Sequence, residues 1–230
     1  MNSLYKSSFI FICLAISLTF HSCEKVLMSE SVVYSNDFDG NDFSNLTSSN
    51  VIEFNNTGVL GSFNNEGFKL SLNSLPDHNY IVVSFDLYIH DSWDGNTNEL
   101  SPPGEDHDAW IMEFDPEEKR KISEQVYFET TFSNGECQPA RCLDQSYPNV
   151  FPFVRNPRTN STGINLPGLC SLVNNPSGTS LYRVSKIYRH ERSLLTISFY
   201  DKLLQTNSPD PKCDESWSLD NLTVTVQTIE

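Results

Sequence analysis

The sequence predicts an all-β protein, a sandwich or barrel of about ten short strands. Three observations carry this. Apolar and polar residues alternate with a period of two in segment after segment, as in Phe68, Leu70 and Leu72 against Lys69 and Ser71. Turn clusters rich in Asn, Asp, Gly and Pro separate those segments. No stretch shows a convincing helical period, since the best candidate, Pro116 to Glu124, is short and almost wholly polar.

The predicted strands run in order along the chain. Val32 to Tyr34 leads into the acidic turn Asn36-Asp-Phe-Asp-Gly40. Val51 to Phe54, Gly58 to Phe63 and Gly67 to Leu72 follow, the last two parted by Asn64-Asn-Glu-Gly67. Tyr80 to Ile89 is the strongest, rich in β-branched and aromatic residues. Then come Ala109 to Phe114, Val126 to Phe132, Leu181 to Tyr188, Leu194 to Tyr200 and Trp217 to Thr228. Residues 133–180 carry little strand signal and read as a decorated loop region. No repeat and no linker divides the chain, so residues 32–230 read as one domain.

Charge narrows the function. With 15 Lys+Arg against 30 Asp+Glu the net charge is −15, which argues against a nucleic-acid partner and against electrostatic docking on anionic lipid. Aromatics at 12% give the chain a core to bury, which sets it apart from a disordered acidic tail.

Residues 1–22 read as a signal peptide, with Lys6 ahead of an apolar run from Phe9 to Phe20 that is too short to span a bilayer. Ordinary cleavage after Ser22 would put Phe20 where a small residue is wanted. The run Phe20-His21-Ser22-Cys23 resembles a loose lipobox, and Ser22-Cys23-Glu24-Lys25 is similar to the starts of Bacteroidetes-type lipoproteins. That resemblance implies a diacylglycerol on Cys23, residues 23–31 as anchor and linker, and a place at the cell surface or outer membrane. The alternative is a plain secreted protein, which four Asn-x-Ser/Thr sequons at Asn45, Asn55, Asn160 and Asn221 would suit.

Cys137, Cys142, Cys170 and Cys213 remain after Cys13 and Cys23 are set aside. An even number in an exported chain reads as two disulfides. Three pairings are open. The simplest closes Cys137 with Cys142, five residues apart in a loop-like run, and leaves Cys170 with Cys213.

Three segments together carry a second resemblance: Ser35-Asn-Asp-Phe-Asp-Gly40, then Leu75-Pro-Asp-His-Asn-Tyr80 running into Ser84-Phe-Asp-Leu-Tyr-Ile-His-Asp-Ser-Trp-Asp-Gly95, then Asp214-Glu-Ser-Trp-Ser-Leu-Asp-Asn-Leu222. Their order resembles lectin-like jelly-roll domains of the concanavalin-A-like and MAM type. The short MAM cysteine pattern is absent. The resemblance implies a jelly-roll sandwich of two antiparallel sheets and a carbohydrate-binding or adhesion role.

In a jelly roll the first and last strands lie close together. Asp37 and Asp39 would then meet Asp220 and Asn221, and hard oxygen donors without His or Cys favour Ca²⁺. Backbone capping by these same residues is the competing reading. A second acidic set, Asp91, Asp94 and Asn96 with Asp106 and Asp108, flanks a loop that would line the end of the sandwich. Trp93 lies among them in a turn, where an exposed ring would stack on a sugar and a buried one would anchor the loop. Trp110 and Trp217 sit on strands and read as core.

Glu113-Phe-Asp-Pro-Glu-Glu118 resembles the catalytic strand of laminarinase-type glycoside hydrolases, which implies Glu113 as nucleophile and Glu118 as acid/base. Pro116 opposes this, because proline cannot donate to the ladder of a central strand. The sequence thus favours a non-catalytic glycan or surface-protein binder, ahead of a glycoside hydrolase or a surface interaction module with no small ligand.

Overall fold

The computed structural model describes residues 26–96, 107–115, 126–137, 142–203 and 209–230. The signal peptide, Cys23, Asp106, Pro116 and Glu118 lie outside the described residues. The chain forms β1 (Leu27–Asn36), β2 (Val51–Phe54), β3 (Thr57–Phe63), β4 (Gly67–Leu72), β5 (Tyr80–Asp91), β6 (Ala109–Phe114), β7 (Val126–Thr131), β8 (Gly163–Leu166), β9 (Thr179–Arg189), β10 (Leu195–Lys202) and β11 (Glu215–Ile229), with one short helix, α1 (Pro211–Asp214). Among the described residues no helix is long and apolar enough to cross a membrane.

Two antiparallel sheets make a jelly-roll sandwich. One has seven strands in the order β2-β3-β11-β5-β9-β8, with β1 also on β11, and the other has four in the order β4-β10-β6-β7. β11 is the longest strand and takes β5 along one side. Its other side is shared, Trp217 to Leu219 with β3 and Leu222 to Ile229 with β1. The first and last strands are therefore paired, as the resemblance implied. β1 begins at Leu27, so residues 27–31 belong to a strand and not to the linker that the sequence reading placed there.

Alternation builds the core. In β5, Ile81, Val83, Phe85 and Leu87 are buried while Val82, Ser84 and Asp86 are half-buried on the other face. They meet Phe68, Leu70, Trp110, Met112, Ile197 and Phe199 of the small sheet in one cluster. Aromatic contacts dominate its centre. Phe68 stacks on Phe199 at 4.8 Å, and Trp110 meets Trp217 edge-on at 5.9 Å.

Alternation fails at the end of β5, where Tyr88, His90 and Asp91 are buried as well as Ile89. The cause is cover from the other side. Tyr88 packs with Phe54 and Val59 in a second cluster, and Leu166, Leu169 and Leu181 close over it. Leu166 and Leu169 of the long loop region thus cover this part of the outer face of the large sheet, and the same region holds β8, a strand with little signal in the sequence. Both cysteine pairs staple this region, Cys137 with Cys142 and Cys170 with Cys213.

Candidate functional site

The acidic loop after β5 is structural. Asp91 is fully buried, and its carboxylate accepts backbone N–H bonds from Leu169 at 3.2 Å and Leu172 at 2.8 Å, with Cys170 and Ser171 also directed at it. It fills a nest of amides and so fixes the stapled loop. Burial raises its pKa against the lowering effect of those hydrogen bonds.

Trp93 is 0% exposed and its indole donates to Ser216 O at 2.9 Å. It is the loop anchor, and the exposed sugar platform is corrected by this burial. Asn96 ties two loops together. Its amide donates to Phe153 O at 2.8 Å, while its oxygen accepts from Ser146 Oγ at 2.8 Å and from Thr131 Oγ1. Asp91, Trp93 and Asn96 therefore hold the fold together. Asp94 and Asp108 come together with Glu215, their carboxylate oxygens all within 4.8 Å of one another, and Asp108 and Glu215 are buried.

The acidic turn after β1 lies close enough to β11 for the charges of Asp37 and Asp39 to act on Asp220. Asp39 accepts from Gly58 N at 2.7 Å and from Thr57 Oγ1 at 3.2 Å. Gly58 has to be glycine, since a Cβ there would sit 2.6 Å from Phe38 O. Asp220 is 2% exposed and its pKa rises to about 6, through burial first and then through the charges of Asp86, Asp39 and Asp37. Asp86 was missed in the sequence because only strand register places it opposite Asp220. Asn221, in the left-handed region at φ 53°, donates to Asp86 Oδ2 at 3.1 Å. Arg183 approaches Asp86 Oδ1 at 3.4 Å. Oxygen donors are thus gathered here, though the carboxylates do not close to the 4.8 Å spacing of the Asp94 group.

A groove that the sequence did not announce crosses the outer face of the four-stranded sheet. Register sets Lys69, Ser198, Glu113 and Tyr127 in one row across four strands, and Tyr200, Ile111 and Glu129 in the next. The groove, about 580 Å³, is lined by Thr47, Lys69, Glu113, Ser198 and Tyr200 among others. Tyr200 donates to Glu113 Oε2 at 3.3 Å, and Tyr127 donates to Glu129 Oε2. His107 Nε2 meets Glu129 Oε1 at 2.7 Å, and its ring stacks on Phe151 with centroids 3.6 Å apart. Phe151 is held there because its loop runs beside β7, with Phe151 N donating to Glu129 O at 3.0 Å.

Electrostatics keep these phenols neutral and one acid charged. Burial, then the charge and hydrogen bond of Glu113, push Tyr200 up to about 12. Tyr127 is raised further by burial and by Glu129. Partial burial works to raise Glu129, but hydrogen bonds from Tyr127 and His107 and the charges of His107 and Lys202 outweigh it and hold it below the usual carboxylate range. The face therefore presents neutral phenols, a carboxylate and hydroxyl groups side by side. Ser198 Oγ is buried there with no hydrogen-bond partner among the described residues. The alternation of Ser198 and Tyr200, and of Tyr127 and Glu129, was the signal that could have found it.

No protein-family model matches the chain, and no curated protein matches it significantly.

Proposed function

We propose that the protein is an exported, lipid-anchored, non-catalytic glycan-binding or adhesion protein, whose ligand lies along the outer face of the four-stranded sheet. The observation that carries this is the pairing of half-exposed tyrosines with polar groups on one sheet face. A sugar's C–H face stacks on a phenol ring while its hydroxyls exchange hydrogen bonds with Glu113, Ser198 and Lys69. The bonded cysteine pairs support export, because disulfides persist in oxidising compartments. Cys23 then carries the lipid, and membrane contact runs through that anchor alone. A Ca²⁺ ion drawn to Asp37, Asp39, Asp86 and Asp220 would offset their mutual repulsion by pulling the carboxylates closer.

The test is a glycan array run with and without chelator. Tyr200→Ala should lower binding at least tenfold while leaving the melting temperature unchanged. Binding that survives this change places the ligand elsewhere. No binding to any glycan favours the surface interaction module.

A hydrolase reading draws on one observation, that Glu113 and Glu129 sit on neighbouring strands of the same face. An acid catalyst needs a raised pKa, and Glu129 is lowered. Release of reducing ends from any array ligand would decide for the hydrolase.

A further inference from the structure

Two loops cross from one sheet to the other at the same end of the sandwich. One joins β4 to β5 and carries His78, and the other joins β9 to β10 and carries His190. Register brings them together, since Leu72 pairs with Leu195 in the small sheet and Tyr80 with Arg189 in the large one. Leu75 N donates to Ser193 O at 3.0 Å and His190 N to Asn79 O at 3.2 Å, so the loops are also bound through their backbones. The Asn79 side chain in turn holds the N–H and the carbonyl of Ile229, at 2.9 and 2.7 Å, where β11 ends.

The two rings are buried and meet nitrogen to nitrogen, His78 Nε2 to His190 Nδ1 at 2.7 Å. Their planes differ by 15° and their centroids are 5.0 Å apart. That separation is the nitrogen–nitrogen distance plus one ring radius on each side. Both nitrogens therefore lie on the line between the ring centres, and the rings are nearly coplanar. This is the geometry of a hydrogen bond and not of stacked faces.

The outer nitrogens fix the proton count. His78 Nδ1 lies 2.6 Å from Pro76 O, and His190 Nε2 lies 3.1 Å from Leu194 O. A carbonyl only accepts, so each outer nitrogen carries a proton. The inner contact needs a third, because two bare nitrogens would oppose their lone pairs. Two neutral imidazoles own only two protons between them. Three hydrogen bonds thus call for one more, which gives the pair a single positive charge. His90 makes no such demand, since Thr179 Oγ1 and Ser218 Oγ are hydroxyls that can donate as well as accept.

Asp115, just after β6, supplies a counter-charge. Its Oδ2 lies 3.8 Å from His190 Nε2 and also meets Arg192, while its Oδ1 accepts from Thr196 N at 3.0 Å. Of the other ionisable groups that flank the two loops, Asp77 is exposed, Tyr80 opens β5, and Arg189 pairs with Glu191 at 2.8 Å. We propose that His78 and His190 form a proton-held clasp, closed at neutral pH by one proton shared between the rings and released at alkaline pH when that proton leaves. Its loss breaks one of the three bonds and loosens the seam where the two loops join the sheets.

Nuclear magnetic resonance of the intact protein, labelled with ¹⁵N, reads each histidine ring nitrogen. At about pH 7 the four nitrogens of His78 and His190 should hold three protons, with a coupling across the bond from His78 Nε2 to His190 Nδ1. Raising the pH to about 10 should remove one of them. Over the same step, exchange of the Leu75 and His190 backbone amides, corrected for base catalysis, should quicken about tenfold while that of Phe199 in the core does not. His78→Gln should abolish the step at Leu75. If that variant fails to fold, the spectra of the unmodified protein still decide. Two protons in all at about pH 7, a third retained at about pH 10, protection of both amides unchanged as the proton leaves, or a Leu75 step that survives His78→Gln overturns the proposal.

Discussion

Asp220 stands directly opposite Asp86 in the ladder between β11 and β5, and Asp220 is 2% exposed. Like charges facing each other across a ladder repel. Protons or a cation relieve the repulsion, and each makes a measurable prediction.

Asp220 has a folded-state pKa of about 6 against an ordinary 3.8. Between those values the folded chain binds more protons than the unfolded chain, so this residue makes stability fall as pH rises from about 4 to about 6. Asp201, also raised to about 6 by burial, acts in the same direction. Asp220→Asn should remove its share of that fall and stabilise the protein at pH 7 by about 1 kcal/mol after screening. Urea melts at a series of pH values read it directly, and a profile identical to the unmodified protein would count against it.

Calcium should act through the same carboxylates. Millimolar Ca²⁺ in place of EDTA should raise the melting temperature at pH 7, with about 2.7 kcal/mol gained at a hundredfold excess over Kd. The gain should shrink below pH 6 as protons compete, and Asp220→Ala should abolish it. An unchanged melting temperature leaves the acidic turn as a capping feature alone.

His90 titrates in the opposite sense. It is fully buried between Thr179 Oγ1 at 3.0 Å and Ser218 Oγ at 2.7 Å, and burial lowers its pKa from 6.5 to about 3. The unfolded chain therefore takes up the proton first, so stability is full above pH 6.5 and is lost as pH falls toward 3. His90→Gln should flatten that acid limb while costing some stability at neutral pH. An acid limb as steep as before would exclude His90 as its source.

Removing Trp93 should damage the fold and not the ligand face. Trp93→Ala should cost about 3–5 kcal/mol, the range for a buried aromatic. Trp93→Phe should retain glycan binding at temperatures where it is folded. A stable Trp93→Ala protein with selective loss of glycan binding would restore the sugar-platform reading.

The two staples should differ in worth. Cys170 and Cys213 are 43 residues apart and Cys137 and Cys142 only 5, so loop-closure entropy predicts about 4 against about 2 kcal/mol. Denaturant melts of the two double-serine variants compare them. Equal losses would show that the longer link does not act through chain entropy.

The strands were legible where one face alone is buried, because Phe68-Lys69-Leu70 or Leu222-Thr223-Val224 writes its own alternation. The end of β5 was not, since Tyr88 and His90 are buried by a lid that the local sequence does not mention. β8 was illegible for a related reason: Gly163–Leu166 is short, and its place at the edge of the large sheet comes from pairing with β9. Among site residues, the electrostatic influence of Asp39 on Asp220 followed from the pairing of first and last strands. Glu129 and Tyr200 did not stand out, because each is an ordinary outward residue until three strands set them on one face. Trp93 was placed in a turn correctly, but a turn residue's burial depends on what packs behind it.

The pairing of β1 with β11 also has a mechanical meaning. Val26 and Glu230 exchange backbone hydrogen bonds at 2.8 and 3.0 Å, so the residue that leads into β1 lies beside the one that follows β11. A tether pulling at residue 26 along the strand axis would load the ladder from Leu27 to Asn36 in shear, with its rungs resisting together. Pulling residues 26 and 230 apart sideways would open the same rungs one after another. A molecule held by its first strand and loaded through a ligand elsewhere on its surface would thus meet force in its stiffer direction.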